Sequence, residues 1–312
     1  MSVLCNESSS RHKETKMATA NANGIQIEYD TFGKSSHPAL LLIIGLGSQL
    51  IYWQDEFCQQ IADNGFYVIR YDNRDSGLST KFEGLSSEEI MEKVMALFSG
   101  EKVSVPYSIE DMSRDAVGLL DEMKIAKAHI CGMSMGGYIA QTFAINNPSR
   151  TISLTSIYSH CGNRSEFLPS QEAMEAMMKP IPKDRDGAIE YTVDFLKLIY
   201  GSGLPFDEEF HKRLAAQAFD RSFCPEGTGR QYLAIMVQKD RTDELGKLKI
   251  PSLVVHGDED PLVPLAGGKA TAEVIPDAEF MVVKGMGHVI PNLNAYWGDI
   301  KNVMINHMEK AA

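Results

Sequence analysis

The sequence predicts an α/β protein: a mostly parallel sheet flanked by helices, with a helical segment inserted between two strands. Three observations predict it. The run Ala39-Leu-Leu-Leu-Ile-Ile44 contains no polar residue, the pattern of a strand buried on both faces. Further short apolar runs alternate with helical patterns on both sides of the chain's middle, which implies parallel strands joined by helical crossovers. From 161 to 249 that alternation stops, and the text is helical, Met-rich and punctuated by Pro and Gly.

Taken in order, residues 1–16 are polar and Ser-rich and lack the apolar segment of a secretory signal, so they are expected to form a disordered tail, with Met17 as an alternative start. Residues 24–33 alternate apolar and polar and read as a half-exposed antiparallel strand ending at a Gly turn. The strand 39–44 follows, then a helix 55–64 stopped by Asn64-Gly65, then a buried strand 66–71. A helix over 108–124 starts at a capping-box-like Ser108 and Asp111 and carries an apolar stripe of Met112, Ala116, Leu119, Leu120 and Met123. Next come a strand 128–133, a helix 135–146 ended by Asn147-Pro148, and a strand 151–158. The insert holds helices near 171–179, 185–200, 206–220 and 227–241 and no strand. A strand 252–256, a helix near 265–275, a strand 279–283 and a terminal helix 292–308 complete the chain. The expected organisation is therefore a core of 17–160 and 250–312 with a helical cap of 161–249.

With 312 residues, 44% of them apolar and 23% charged, the chain can bury one sizeable core. A net charge of −12 argues against a nucleic acid or an anionic membrane as partner. The five cysteines, Cys5, Cys58, Cys131, Cys161 and Cys224, are scattered without a C-x-x-C pair, which fits reduced thiols in a cytoplasmic protein. The longest apolar run is far too short to span a bilayer.

Ligands of open parallel sheets bind at the carboxyl ends of the strands, so the chemistry is sought there. Gly132-Met-Ser134-Met-Gly136 lies where a strand passes into a helix. A sharp turn of that kind exposes its central side chain at a helix N-terminus, whose partial positive charge favours a developing anion. Ser134 is therefore a candidate nucleophile, and a serine hydroxyl needs a base, itself oriented by a carboxylate. After strand 252–256 stand Asp258, Glu259 and Asp260. Asp260, further over the loop and followed by Pro261, is the favoured acid, and Asp258 is the alternative. After the last strand, Gly285-Met-Gly-His288 puts a histidine in a Gly-rich loop able to swing over the sheet. Among the other histidines, His12, His37, His211 and His307 read as surface residues, His129 as the start of a strand, His256 as a structural residue at a strand end, and His160 as able to line the site.

The turn Gly45-Leu-Gly47 invites comparison with a dinucleotide cradle. It lacks the third small residue, no helix clearly opens there, and Asp72 is better explained by its own loop. No Walker lysine or zinc-type His/Cys spacing occurs, so no cofactor and no metal are expected.

Together, Gly132-Met-Ser134-Met-Gly-Gly, His256-Gly-Asp-Glu-Asp260-Pro and Gly285-Met-Gly-His288 resemble the α/β-hydrolase triad signature. Asp72-Asn-Arg74-Asp75-Ser76-Gly-Leu-Ser79 resembles that superfamily's D-x-R-G-x-G-x-S loop, with Asp75-Ser76 in place of its middle Gly-x. The likeness spans 23–308. Gly45-Leu-Gly-Ser-Gln49, Trp53-x-Asp-Glu-Phe57 and Gly201-Ser-Gly-Leu-Pro-Phe-Asp207 resemble the aclacinomycin methylesterase-like branch more narrowly. The likeness implies an α/β-hydrolase fold and carboxylic ester hydrolysis through an acyl-enzyme. It also implies an oxyanion hole made of the backbone N–H groups of Leu46 and Met135. The family's usual His-Gly is Ile44-Gly45 here, which removes a side-chain hydrogen bond from that loop. Ser134 is unlike the dehalogenase and epoxide hydrolase branches, whose nucleophile is Asp. Serine-retaining rivals are a cofactor-free perhydrolase or haloperoxidase and a C–C bond hydrolase; a non-enzymatic small-molecule receptor is a further class.

Substrate selection is expected from Trp53, His160, Phe195, Ile199, Tyr200, Leu204, Phe206 and Val289, with Met174, Met177 and Met178 as core packing or an adaptable lid surface. The partner is a small or medium ester. The cap helices could also carry a homodimer surface, though nothing local demands one.

Overall fold

The computed structural model describes residues 17–162, 167–292 and 295–311. The expected tail at 1–16, with His12 and Cys5, lies outside them. The chain opens with β1 (Ala18–Ala22) and β2 (Ile25–Phe32), an antiparallel pair. There follow β3 (Ala39–Ile43), α1 (Asp55–Asp63), β4 (Tyr67–Tyr71), α2 (Ser87–Phe98), α3 (Ile109–Glu122), β5 (Ala128–Met133), α4 (Met135–Asn146) and β6 (Thr151–Ile157). The insert consists of α5 (Gln171–Met177), α6 (Arg185–Leu198), α7 (Glu208–Arg221), α8 (Pro225–Met236) and α9 (Thr242–Leu245). Then β7 (Ser252–Gly257), α10 (Leu265–Val274), β8 (Glu279–Val283) and α11 (Ala295–Ala311) return to the core.

The eight strands lie in the order β1-β2-β4-β3-β5-β6-β7-β8. Every pairing from β4 to β8 is parallel; β2 meets β4 antiparallel. The chain leaves β3 on one side for β4 and comes back on the other for β5. Strand order therefore reverses between β3 and β5, and the crevice beyond their carboxyl ends is where such a sheet holds a ligand.

All five residues of β3 are buried. Because strand side chains alternate, Leu40 and Leu42 enter one core with Phe57, Trp297 and Met304 from α1 and α11. Leu41 and Ile43 enter the other with Met112, Leu119, Ile139 and Phe143 from α3 and α4. The sheet is thus covered on both faces, as its unbroken apolar strands require. No described helix is long and apolar enough to cross a membrane.

Three elements were not anticipated: β1, α2 and the short α9. β1 is ATANA, whose small side chains give little hydropathy contrast. α2 begins with a full capping box, Ser86 Oγ accepting from Glu89 N–H while Glu89 accepts from Ser86 N–H. That S-x-x-E signature was available in the sequence. The helix expected over 227–241 breaks after Met236, because Arg241 turns inward. Its buried guanidinium donates to Gln141 Oε1, Gln238 Oε1 and the His160 carbonyl, and its N–H to the Cys161 carbonyl.

His211 and His307 are not surface residues: they are 1% and 2% exposed. His211 stacks on Phe206 at 4.4 Å between ring centroids, so an amphipathic helix uses its imidazole as an apolar ring. His307 faces Glu279 across 3.5 Å.

Candidate active site

Ser134 joins β5 to α4 with φ 56° and ψ −125°, a conformation that costs a residue with a Cβ of order 1–3 kcal/mol. The surroundings hold it there. Ser134 N–H donates to the Ile157 carbonyl (2.8 Å), and its own carbonyl accepts from Gly137 N–H (2.8 Å) and Ser159 Oγ (2.8 Å). The flanking backbones nearly touch. A Cβ on Gly132 would lie 1.9 Å from the Gly136 carbonyl oxygen, and one on Gly136 would lie 2.2 Å from that of Ile43. The glycines of the elbow are therefore steric requirements of its packing.

Asp260 and His288 meet beyond the ends of β7 and β8. His288 Nδ1 is 2.7 Å from Asp260 Oδ2, and Asp260 Oδ1 accepts the N–H groups of Leu262 and Val263, each at 2.9 Å. The Asp260 side chain is fully buried. His256 Nε2 is 3.7 Å from the same carboxylate but donates to the Val263 carbonyl at 2.7 Å. Burial holds its pKa below the ordinary histidine range. Asp258 is exposed and accepts Gly285 N–H at 2.6 Å, so it braces the histidine loop without reaching the imidazole. Glu259 accepts from the N–H and hydroxyl of Ser202, in the insert. The Tyr158 ring, just past β6, packs 4.9 Å from that of His288. Ser134 is bonded to Ile157, the residue before it, so serine and histidine flank the same strand end.

The loop after β3 approaches the serine closely. A Cβ on Gly45 would lie 3.1 Å from Ser134 Cβ and 3.6 Å from its Oγ. Leu46 follows directly, and Met135 is the first residue of α4. Ile44 is buried, and its carbonyl accepts from Asn73 Nδ2 at 3.0 Å. A cavity opens over Ser134, lined by Leu46, Tyr138 and Leu262 from the core and by Met174, Met177 and Tyr232 from the insert. No Lys, Arg, Asp or Glu lines it among the described residues. No described group of three or more His, Cys, Asp or Glu side chains could hold a metal ion.

Of the expected pocket residues, His160 lines this cavity, its ring between Tyr138 (4.7 Å) and Phe167 (5.4 Å). Its Nδ1 accepts Gly162 N–H. The rest go elsewhere. Trp53 is fully buried among Phe57 and Trp297, beneath the sheet. Val289 is a core residue. Phe195 is half-buried on α6 and does not line the cavity. Tyr200 and Leu204 border a separate cleft with Gln54, Phe210 and Asn292, while Phe206 stacks on His211. Ile199 and Tyr200 meet the histidine loop through their backbones: their carbonyls accept His288 N–H (2.6 Å) and Gly287 N–H (2.9 Å). The methionines divide, with Met178 packed on Ile90, Val94 and Leu233 instead of the cavity. Tyr138 was missed although it sits one helical turn after Ser134, on the same face. Tyr232 and Ile235 carried no signal that set them apart from the other apolar residues of α8.

Residues 38–294 match the family described as alpha/beta hydrolase fold. The chain belongs to that family. It is 27% identical over 297 residues to the rhodomycin D methylesterase DauP of Streptomyces sp. (strain C5), covering 89% of this chain and 93% of that protein. It is 28% identical over 285 residues to the rhodomycin D methylesterase DnrP of Streptomyces peucetius, covering 83% and 87%. The crystal structure of the enol-lactonase from Burkholderia xenovorans LB400 shares the fold, with a TM-score of 0.69 at 22% identity, covering 94% of this chain and all of that one.

Proposed function

We propose that this protein is a serine carboxylesterase acting on small or medium uncharged esters through an acyl-enzyme. The observation that carries the reading is the buried Asp260–His288 pair, 2.7 Å apart with the carboxylate fixed by two backbone N–H groups, beyond the same strand ends as the strained elbow of Ser134. In this reading His288 takes the hydroxyl proton as Ser134 Oγ attacks the ester carbonyl. Asp260 orients the imidazole and offsets its charge. The N–H groups of Leu46 and Met135 bind the oxyanion. His288 then protonates the leaving alkoxide, and the alcohol departs. Water, giving a proton to His288, attacks the acyl group and releases the acid, and the proton returns to Ser134.

The cavity supports the substrate class. Apart from Ser134 and His160 its described lining is apolar and aromatic, without a lysine or arginine to receive a second carboxylate, so a neutral apolar acyl group fits it better than the anionic substrate of a dioate C–C hydrolase. The methylesterase relatives support ester chemistry. The helices between β6 and β7 serve as the cap, 161–249, that closes over the substrate. The described cysteines, all free thiols, fit a cytoplasmic setting.

The test is a p-nitrophenyl ester series of increasing acyl length, with methyl esters of bulky acids included. Turnover is expected in the wild type and lost in Ser134→Ala, whose fold stays intact by circular dichroism. Retained turnover in that variant would overturn the reading. Inert esters combined with peroxide-dependent halide oxidation would replace it with a perhydrolase.

A further inference from the structure

The loop from Ile44 to Leu50 has glycines at 45 and 47 and no histidine side chain to brace it. Its ends are tied to the core, the Ile44 carbonyl to Asn73 and the Leu50 N–H to Asp72 Oδ1 at 2.7 Å. Its middle is tied to the insert. Gly47 N–H donates to Gln231 Oε1, on α8, at 2.8 Å. Gln231 is completely buried, and its Nε2 donates to the Arg74 carbonyl (2.7 Å) and Ser76 Oγ (3.2 Å). Those two bonds fix which way the amide faces, so its oxygen must point at Gly47. Thr228, one turn earlier on the same helix, closes the other side: a Cβ on Gly47 would lie 2.8 Å from Thr228 Oγ1. Gly47 itself has φ +64°.

The helix that carries Gln231 is locked down beside it. Arg230 makes two bonds of 2.9 Å to the Asp75 carboxylate, which also accepts Tyr107 O–H at 2.6 Å. Asp75 is the residue that departs from the family's glycine, and it keeps a positive φ of 67°. The same helix sends Tyr232 and Ile235 into the cavity over Ser134.

We propose that Gln231 is a positioning residue for the oxyanion-binding loop. It fixes the peptide that follows Leu46, and so ties the aim of the Leu46 N–H to the docking of the substrate-lining helix α8. The side-chain brace absent at Ile44 is thus supplied from the insert. This rests on the reading that Ser134 is the nucleophile and the Leu46 N–H an oxyanion donor.

The experiment compares wild type, Gln231→Met and Gln231→Glu with p-nitrophenyl butyrate and with an alkyl trifluoromethyl ketone, which adds to the serine as an oxyanion. Gln231→Met keeps the volume but replaces the amide oxygen with a thioether, at best a weak acceptor. It should lower kcat by roughly 10–100-fold, part of the effect of losing a donor, with KM within about three-fold. Its affinity for the fluorinated ketone should fall with kcat/KM, while that for the unfluorinated ketone stays level. Gln231→Glu, whose carboxyl burial keeps neutral, retains an acceptor for Gly47 and one donor, so it should recover most of kcat and lose it again as pH rises. A Gln231→Met enzyme with kcat within about two-fold of wild type, or with only KM raised, would overturn the proposal. If neither variant folds, hydrogen exchange of the wild-type protein decides. The Gly47 amide should be protected by at least about 100-fold, and free exchange would overturn the proposal. If Ser134→Ala retains turnover, the functional reading itself has failed; if that variant is inactive and Gln231→Met is not impaired, only the role of Gln231 has.

Discussion

Ser134 and its neighbours are held mainly by backbone, whereas the insert helix across the cavity, α8, is held by side chains. At the elbow, peptide groups bond to peptide groups and glycines let main chains nearly touch. Across the cavity, α8 is docked by Arg230 on Asp75 and by Gln231 on three backbone or hydroxyl partners, while α7 contributes Arg221 on Asp72. Backbone packing tolerates few sequences, so it leaves a motif. A side-chain lock can be built from many residue pairs, so it leaves none. In the proposed reading the same division separates chemistry from selectivity: the strand ends would carry the reactive groups, and the insert lines much of the cavity over Ser134.

The largest effects should break the strand-end half without unfolding it. Asp260→Asn should lower kcat by roughly 10⁴-fold, whereas Asp258→Asn, which only braces Gly285, should lower it by less than about ten-fold. Steady-state kinetics on one ester checks both, and the reverse order would move the acid to Asp258.

Next in size is the lock on the insert. Arg230→Met leaves Asp75 buried with its charge unpaired, a loss expected to cost about 3–5 kcal/mol. Urea unfolding should show the drop, and a change below about 1 kcal/mol would mean that the ion pair does not dock α8.

Acid sharpens the comparison further. Burial lowers the pKa of His129, in β5, and of His211, in α7, from 6.5 to about 4. The unfolded chain therefore takes up these protons first as pH falls below 6.5, and stability is lost from there down to about pH 4. By pH 5 each histidine should cost about 2 kcal/mol. His211→Phe should remove its share of the acid sensitivity, measured as Tm against pH; an unchanged slope would show that His211 does not report on the insert.

The smallest effect concerns selectivity. Met177→Ala should change the preferred acyl length and KM by up to roughly ten-fold with kcat nearly constant.

Legibility in the sequence follows the same physical line. The parallel strands were readable because burial on both faces forces continuous apolar runs, as in β3. Ser134, Asp260 and His288 were readable as candidates because turns after strands need Gly and Pro at fixed offsets. The pocket was not. Trp53, Phe195 and Phe206 are aromatic in regions expected to face the substrate, yet hydrophobicity alone does not distinguish a side chain that fills a core from one that lines a cavity. Ile199 and Tyr200 matter through their carbonyls, which no side-chain reading detects. Gln231 is a polar residue in a helix whose partners lie more than 150 positions away in the chain. His211 misled because a neutral imidazole between aromatic rings packs like an apolar side chain.

The central claim is that Ser134 is the nucleophile. Reaction with an alkyl fluorophosphonate, followed by mass analysis of the peptide that holds residue 134, tests it directly. One adduct per chain is expected, on Ser134, in step with loss of ester hydrolysis, and none in Ser134→Ala. An adduct on another residue, or hydrolysis that survives full labelling of Ser134, would contradict it.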